Sequence, residues 1–320
     1  PILRGPSTTS RQPMRLARDL SGPCLSPAGS VLAIGAFDGL HRGHQALLAA
    51  VRESAAQQGL ASAAVLFEPL PRRYFGREPL LRLIPPAQRI AGLAAAGLDH
   101  CLLLRFNAAL ASMSPAAFVE DALVSRLAAR EVWVGADFRF GRARAGDVTR
   151  LVELGRQHGF AVRVLETMAA DAERISSSRL RAALLAGDFA AAAALLGAPY
   201  RYTRRVTRGQ QLGRQLGYPT ANLRWLSPLM YGIYAVRVSG AGLDRHPAVA
   251  SIGTRPTVNG REPLLEVHLF DWSGDLYGQR LTVEFVARQR DELKFDSLDA
   301  LVQQMDRDAA EARAILAAQP

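Results

Sequence analysis

Lysine and cysteine are nearly missing from this chain. Lys294 is the one lysine in 320 residues, although lysine and arginine together number 39 and the formal net charge is +10. The positive charge is therefore almost all guanidinium. It is scattered along the chain amid many alanines, a pattern of compositional bias. A dedicated nucleic-acid surface would instead gather its basic residues on one face. A basic chain still suits anionic small substrates such as nucleotide phosphates. The two cysteines, Cys24 and Cys101, lie far apart and match no metal-ligand spacing. A disulfide framework and a cysteine metal site are thereby excluded, and a reduced cytoplasmic protein is expected. No apolar run reaches the roughly 18–20 residues of a membrane span, and the alanine-rich 189-FAAAAALLGAP-199 is too short, so no membrane association is expected. Residues 1–13, PILRGPSTTSRQP, have no apolar core of a secretory signal. They read as a disordered extension, with Met14 the expected start. What is present, 49% hydrophobic and 21% charged residues, describes a globular chain with core material for two domains.

The first half alternates strand and helix patterns. Strands are expected at 31–35, 61–67, 101–106, 131–135 and 161–165, and helices at 45–59, 86–97, 115–127 and 147–159. Such alternation predicts an α/β domain with a parallel sheet covered by helices. Two short helices follow, 177–187 and 188–197, with Pro199 expected to stop the second. Beyond it come short β-branched or aromatic segments, at 200–209, 232–240, 246–253, 264–271 and 281–288, parted by Gly, Pro, Asn and Asp. These predict a small antiparallel barrel. An amphipathic helix over 297–316, with Ser297 as N-cap, closes the chain. The expected division is 14–187, a helical linker 188–199, and 200–320.

The stretch 35-GAFDGLHRGH-44 falls between the first strand and the first helix of the α/β half. Open parallel sheets bind ligands at the carboxyl ends of their strands, and a helix N-terminus there favours phosphate. Gly35 and Gly39 permit close backbone approach. His41 and His44, three apart on one helical turn, can face one phosphate and stabilise charge building on it. Simple helix capping is the alternative reading of the same residues. The spacing fits neither G-x-x-x-x-G-K-[ST] nor G-x-G-x-x-G. A second stretch, 174-RISSSRLR-181, offers Ser177 and Ser178 as caps and phosphate donors. Arg181 lies one turn beyond Ser178 on the same face.

His41-Arg42-Gly43-His44 resembles the H-x-G-H signature of the nucleotidylyltransferase superfamily. The longer G-x-F-D-G-x-H-x-G-H resembles its flavin branch, as does 174-RISSSRLR-181 the R-[IV]-S-S-T-x-[IL]-R segment. The resemblance implies a Rossmann-like domain in which Gly35, Phe37, Asp38, Gly39, Arg174, Ser177, Ser178 and Arg181 bind ATP phosphates. In 135-GADFRFG-141, similar to that branch's G-x-[DN]-F-x-F-G loop, Asp137 would help bind the nucleotide. The segment 67-FEPLP-71 resembles F-[DE]-P-x-P, with Leu70 where many members have His.

In the second half, 213-GRQLGYPTAN-222 is turn-rich and on composition alone is a loop between strands. In 264-LLEVHLF-270, alternation puts Leu264, Glu266, His268 and Phe270 on one face and Leu265, Val267 and Leu269 on the other. A carboxylate in so apolar a strand faces either solvent or a site. The string 217-GYPTAN-222 closely resembles the G-[FY]-P-T-A-N signature of riboflavin kinases. That resemblance implies that Thr220 and Asn222 contact Mg²⁺ and ATP phosphates, with Gly209 and Gly213 also at the phosphates. L-E-V-H-L is similar to the same family's strand bearing the proposed base, which makes Glu266 the expected base. Arg290, Glu292 and Phe295, an R-x-E-x-x-F element, would shape the flavin pocket.

Together these motifs, from about Met14 to Leu316, resemble the bacterial bifunctional riboflavin kinases/FMN adenylyltransferases. The implied activity has two steps. Mg-ATP phosphorylates riboflavin to FMN in the barrel, and the FMN phosphate then attacks the α-phosphate of a second ATP to give FAD and pyrophosphate. Flavins and ATP would be the only partners, and a monomer or weak oligomer is expected. Two other readings fit less well. A single-activity adenylyltransferase with a degenerate barrel conflicts with intact Thr220, Asn222 and Glu266. A basic RNA-binding barrel would need more than the one Tyr/Arg cluster at 200–205.

Overall fold

The computed structural model describes residues 12–76, 80–165, 169–170, 173–209, 213, 216–226, 230–257 and 260–319. Contacts group them into two units. One takes in residues up to 37, 44–74 and 90–167, and the other residues 38–43, 75–89 and 168 onward.

The first unit is built on six strands: β1 (Arg15–Ala17), β2 (Ser30–Ile34), β3 (Ala61–Glu68), β4 (His100–Arg105), β5 (Ala129–Gly135) and β6 (Ala161–Leu165). All neighbours are parallel, in the order β1-β4-β3-β2-β5-β6. β2 is buried along its whole length, as a central strand covered on both faces must be. Helix α1 (Arg42–Gln58) buries Leu47, Leu48, Val51 and Ala55, one apolar stripe at helical spacing. Further along come α2 (Pro71–Phe75), α3 (Pro86–Ala95), α4 (Ala108–Ser112), α5 (Pro115–Phe118) and α6 (Val148–His158). Asp147 caps α6 by accepting from the Arg150 N–H, and Gly159 ends it at φ 77°.

The helix expected over 115–127 is α-helical only as far as Phe118. Residues 119–125 form a π-helical turn, with the Arg126 N–H donating to the Asp121 carbonyl. Val119, Ala122 and Leu123 of this turn and Leu127 just beyond it face the core, each 0% exposed, at the i, i+3, i+4, i+8 spacing of an apolar helix face. β1 was not anticipated, because three residues are too few for an alternation pattern.

The second unit begins, after a short antiparallel pair β7 (Ala169–Ala170) and β8 (Glu173–Arg174), with α7 (Ser177–Ala186) and α8 (Phe189–Leu196). Its centre is a closed antiparallel barrel of β9 (Arg201–Thr207), β10 (Ala221–Arg224), β11 (Gly232–Gly240), β12 (Leu243–Thr257), β13 (Gly260–Leu269) and β14 (Arg280–Arg290). Closure removes exposed strand edges. β10 is the strand that the sequence pattern concealed. It is four residues long and continues directly from a turn-rich loop.

The barrel interior is aromatic. The Tyr202 and Trp225 rings lie 4.3 Å apart, and Phe285 contacts Tyr200, Trp225 and Tyr234. α8 belongs to this core through Phe189, Ala192 and Leu195, with Phe189 stacked on Phe285 at 5.7 Å. It ends at Gly197, φ 75°, two residues before Pro199. The closing helix α9 (Leu298–Ala318), capped by Ser297, packs Ala312 and Leu316 against Ala235 and Phe270. Among the described residues, no helix is long and apolar enough to cross a membrane.

Candidate functional site

Three of the singled-out segments leave the sheet at one edge. β3 ends in Phe67-Glu68, β2 runs into Gly35, and β5 ends at Gly135. These strands are neighbours and parallel, so 67-FEPLP-71, 35-GAF-37 and 135-GAD-137 all emerge at their carboxyl ends. The loop after β2 takes up left-handed backbone at Phe37 (φ 48°), Gly39 (φ 91°) and Leu40 (φ 49°). Two non-glycine residues there cost of order 1 kcal/mol each, and full burial of the Phe37 ring offsets this. At Gly35 a Cβ would press on that ring at 3.0 Å. The ring in turn lies 5.2 Å from the His44 imidazole on the first turn of α1. Asp137 stands just past β5, where a Cβ on Gly135 would meet its Oδ1 at 3.4 Å.

In the second unit, His41 is 6% exposed, and a Cβ on Gly43 would meet its ring at 3.3 Å. Asp38, 2% exposed, accepts from the backbone N–H groups of Leu83 and Ile84 at 3.2 and 3.3 Å and from Arg181 Nη2 at 2.5 Å. Arg181 Nε also donates to the Leu81 carbonyl at 2.7 Å. A buried carboxylate so bound is an acceptor among donors. Its chemistry is to hold Arg181 and the 81–84 segment, and an anion gains nothing from it directly. Ser177 and Ser178 were expected to cap α7. The cap is Ser176, whose side chain accepts from the Arg179 N–H, and Ser177 Oγ donates to the Asp38 carbonyl at 2.9 Å. Arg174 pairs through its backbone with Ala169, and its side chain lies outside the described residues.

The second site lies on the barrel. β13 alternates as expected. Leu265, Val267 and Leu269 fill the interior, while Glu266 and His268 line a cavity of about 270 Å³ with Thr220, Ser251, Arg290 and Glu292. Strand register explains the grouping. Asn222 pairs with Glu266 and with Thr207, and Glu266 pairs with Ser251, so four polar residues form one row across β9, β10, β13 and β12. Thr220 Oγ1 donates to Glu266 Oε1 at 3.3 Å. Thr220 also lines a second cavity of about 260 Å³, with Pro219, Trp272, Asp275 and Tyr277. One hydroxyl thus borders both.

Gly213 and Phe295 line the first cavity. Partial burial pushes the Glu292 carboxyl up from its ordinary pKa, and a Cβ on Gly253 would collide with that carboxylate. Arg290 borders the cavity, but its guanidinium is bound to Asp308 of α9. Burial and the nearby Asp306 carboxylate, to which its phenol donates, push Tyr218 up to about 12. Sequence reasoning passed over Thr207, gave Ser251 no role of its own although 251-SIGTRPTV-258 also resembles the riboflavin kinases, and passed over Asp308. The first two would have emerged from a register, and a register cannot be written down until β10 is seen.

The polar row also bears on a metal. Asn222 Oδ1 is buried with no hydrogen-bond partner among the described residues, while its Nδ2 donates to the Thr220 carbonyl at 3.4 Å. Gly209 has no Cβ because one would meet the Asn222 amide at 2.7 Å. Neutral oxygen donors of this sort suit a hard cation. No group of three or more His, Cys, Asp or Glu that could hold a metal exists among the described residues. Two neutral oxygens fill only part of such a cation's shell, so an ion held there would keep other ligands such as water.

Comparison with known proteins agrees with both halves. The FAD synthetase family model matches residues 25–179 and the riboflavin kinase model residues 196–316. A bifunctional riboflavin kinase/FMN adenylyltransferase of Pseudomonas fluorescens is 45% identical over 308 residues, covering 95% of this chain and 98% of the relative. The protein of the same name from Escherichia coli K12 is 41% identical over 305 residues, covering 94% and 97%. A solved structure described as a macrolide-efflux protein from Streptococcus pneumoniae superposes with a TM-score of 0.72 at 32% identity, covering 90% of this chain and 94% of that one. Motifs, fold and relatives coincide over nearly the whole length, and the chain belongs to the bifunctional riboflavin kinase/FMN adenylyltransferase family.

Proposed function

We propose that the barrel's polar row carries out phosphorylation of riboflavin and that the strand-end loops of the α/β half, with α7, carry out adenylylation of FMN. The observation behind the first assignment is the pair of cavities that share Thr220. One has the size and half-apolar lining that suit an isoalloxazine, with Glu266 in its wall; the other suits a nucleotide. Glu266 takes the proton from the riboflavin 5′-hydroxyl as that oxygen attacks the γ-phosphorus of ATP, and ADP leaves. Thr220 orients the carboxylate. Thr220 and Asn222 would hold Mg²⁺, which when bound offsets charge on the transferring phosphoryl group.

The second step needs no protein nucleophile, since the FMN phosphate is already anionic. Its oxygen attacks the α-phosphorus of ATP, and pyrophosphate leaves. His41, His44, Arg174 and Arg181 stabilise the charge that develops, and Asp137 helps to bind the nucleotide. On this reading residues 14–187 supply the adenylyltransferase, residues 200–320 the kinase, and residues 188–199 join them. The enzyme works in the cytoplasm on small soluble substrates, as a monomer or weak oligomer and without nucleic acid. Its two free cysteines and dispersed arginines support this.

The test is to incubate the protein with riboflavin, ATP and Mg²⁺ and separate the flavins. FMN and then FAD are expected. With Glu266→Gln, FMN should fail to form from riboflavin while added FMN still gives FAD. His41→Ala combined with His44→Ala should do the reverse. Loss of both activities in each folded variant would refute the two-site assignment.

A further inference from the structure

We propose that Asp308, on the C-terminal helix, is a positioning residue for riboflavin phosphorylation. It fixes Arg290 and, through it, the cavity wall that bears Glu292, Leu293 and Phe295. The inference rests on the larger barrel cavity being the riboflavin site.

Asp308 is 5% exposed, on a face of α9 otherwise buried through Ala312 and Leu316. Its Oδ1 accepts from Arg290 Nε at 2.7 Å and its Oδ2 from Arg290 Nη2 at 2.5 Å, a two-pronged pairing that sets direction as well as distance. Gln304 Nε2, one turn earlier, donates to the same Oδ1 at 2.9 Å, and Gln289 Nε2 donates to the Asp308 carbonyl at 3.0 Å. The remaining prong of Arg290 donates to the Asp291 carbonyl at 2.7 Å. Arg290 is the last residue of β14, so the pair pins the chain where it leaves the barrel and begins the segment 291–297.

Ahead of the Ser297 cap, residues 291–296 belong to no strand or helix, yet Glu292, Leu293 and Phe295 line the cavity. Leu301, Met305 and Asp308 line it from α9, at helical spacing. On the other side, the Tyr218 phenol donates to Asp306. The helix therefore grips both the 217-GYPTAN-222 segment and the end of β14.

Holding a helix to a barrel does not require a buried charge pair, because desolvating the ions offsets much of their attraction and apolar packing does as well. What a forked pair adds is a fixed orientation. The same helix has a second ion pair, Arg313 with Asp271 at 2.7 and 3.0 Å, that is exposed and lines neither of the two cavities described. It provides the comparison.

The experiment measures kcat and KM for riboflavin and for ATP on the full-length protein, with conversion of added FMN to FAD as a control in the same chain. Asp308→Asn and Arg290→Lys should each raise the riboflavin KM about tenfold while leaving kcat and the ATP KM within about twofold, the signature of a displaced binding wall. Combined Asp308→Leu and Arg290→Leu, which restores packing without the fork, should also keep the high KM. Arg313→Ala should match the unsubstituted protein, and FMN to FAD conversion should be unchanged throughout. The proposal is overturned by an ordinary riboflavin KM in Asp308→Asn or by an equal rise in Arg313→Ala. Loss of FMN to FAD conversion in both Asp308→Asn and Arg290→Lys would overturn it too, since the pair would then be holding the fold. If Glu266→Gln still makes FMN, the site reading beneath the proposal is what fails.

Discussion

Glu131, Asp38 and Glu266 are carboxylates on or next to strands, and their neighbours give them different work. Glu131 receives Ser54 Oγ and Trp133 Nε1, both at 2.6 Å, and Arg163 Nε at 3.4 Å. Burial alone would raise its pKa, but the hydrogen bonds from Ser54, Trp133 and Arg163, with the Arg163 charge, outweigh it and hold the group below the usual 4.5. A depressed folded-state pKa gives stability that is present above the unfolded value and lost as pH falls through the folded one. Glu131→Gln should therefore cost about 1–2 kcal/mol at pH 7 and little in strong acid. Urea unfolding at the two pH values reads the difference.

Asp38 holds Arg181, so Asp38→Asn should slow FMN to FAD conversion while riboflavin phosphorylation continues, as flavin separation would show. Glu266 faces a cavity, and Glu266→Gln should slow FMN formation by about 10²–10⁴-fold, read in the same assay. Alternation in 264–270 leaves Glu266 facing either solvent or a site, and only the resemblance of L-E-V-H-L to the riboflavin kinase strand singles it out; Asp38 is named by resemblance too. The partners of Asp38 are not legible in the sequence. Leu83, Ile84 and Arg181 are up to 143 residues away, and no local pattern encodes them.

Turns and short strands decide the barrel site. Gly209 lies against the buried Asn222 amide, so Gly209→Ala displaces a side chain that is 4% exposed and has nowhere to go. The expected result is a raised KM for ATP in riboflavin phosphorylation together with a loss of about 1–3 kcal/mol of stability, measured by initial rates and a melting curve. An unchanged KM would remove Asn222 from the phosphate site. Phe189→Ala, by contrast, should destabilise the barrel by about 3–5 kcal/mol, because the ring stacks on Phe285 in a filled interior. Denaturant unfolding followed by tryptophan fluorescence would show it, since Trp225 lies in the same core.

Long strands and helices were readable from periodicity here: β2, β3, α1 and α6 fall within a few residues of their expected bounds. The four-residue β10 was not. Its register with β13 is what aligns Asn222, Glu266 and Ser251, and so the geometry of the site was hidden with it.

Taken as one chain, the protein joins two nucleotide reactions through a product of one that is the substrate of the other. On the two-site proposal, two disabled variants should complement one another. Mixing Glu266→Gln with the His41→Ala, His44→Ala double variant should make FAD from riboflavin and ATP. FMN retained on the histidine variant, with no FAD formed although the Glu266→Gln variant converts added FMN, would mean that FMN passes only within one molecule.

The scarcity of lysine ends in an unplanned convenience. Lys294 is exposed and stands between Leu293 and Phe295, both in the wall of the larger cavity. An amine-reactive dye, apart from any at the chain's own N-terminus, has that single place to attach. The unaltered protein thus carries a built-in labelling position at the rim of the cavity proposed for the flavin. Energy transfer or quenching between such a dye and the isoalloxazine would report substrate arrival in real time, with no engineered cysteine.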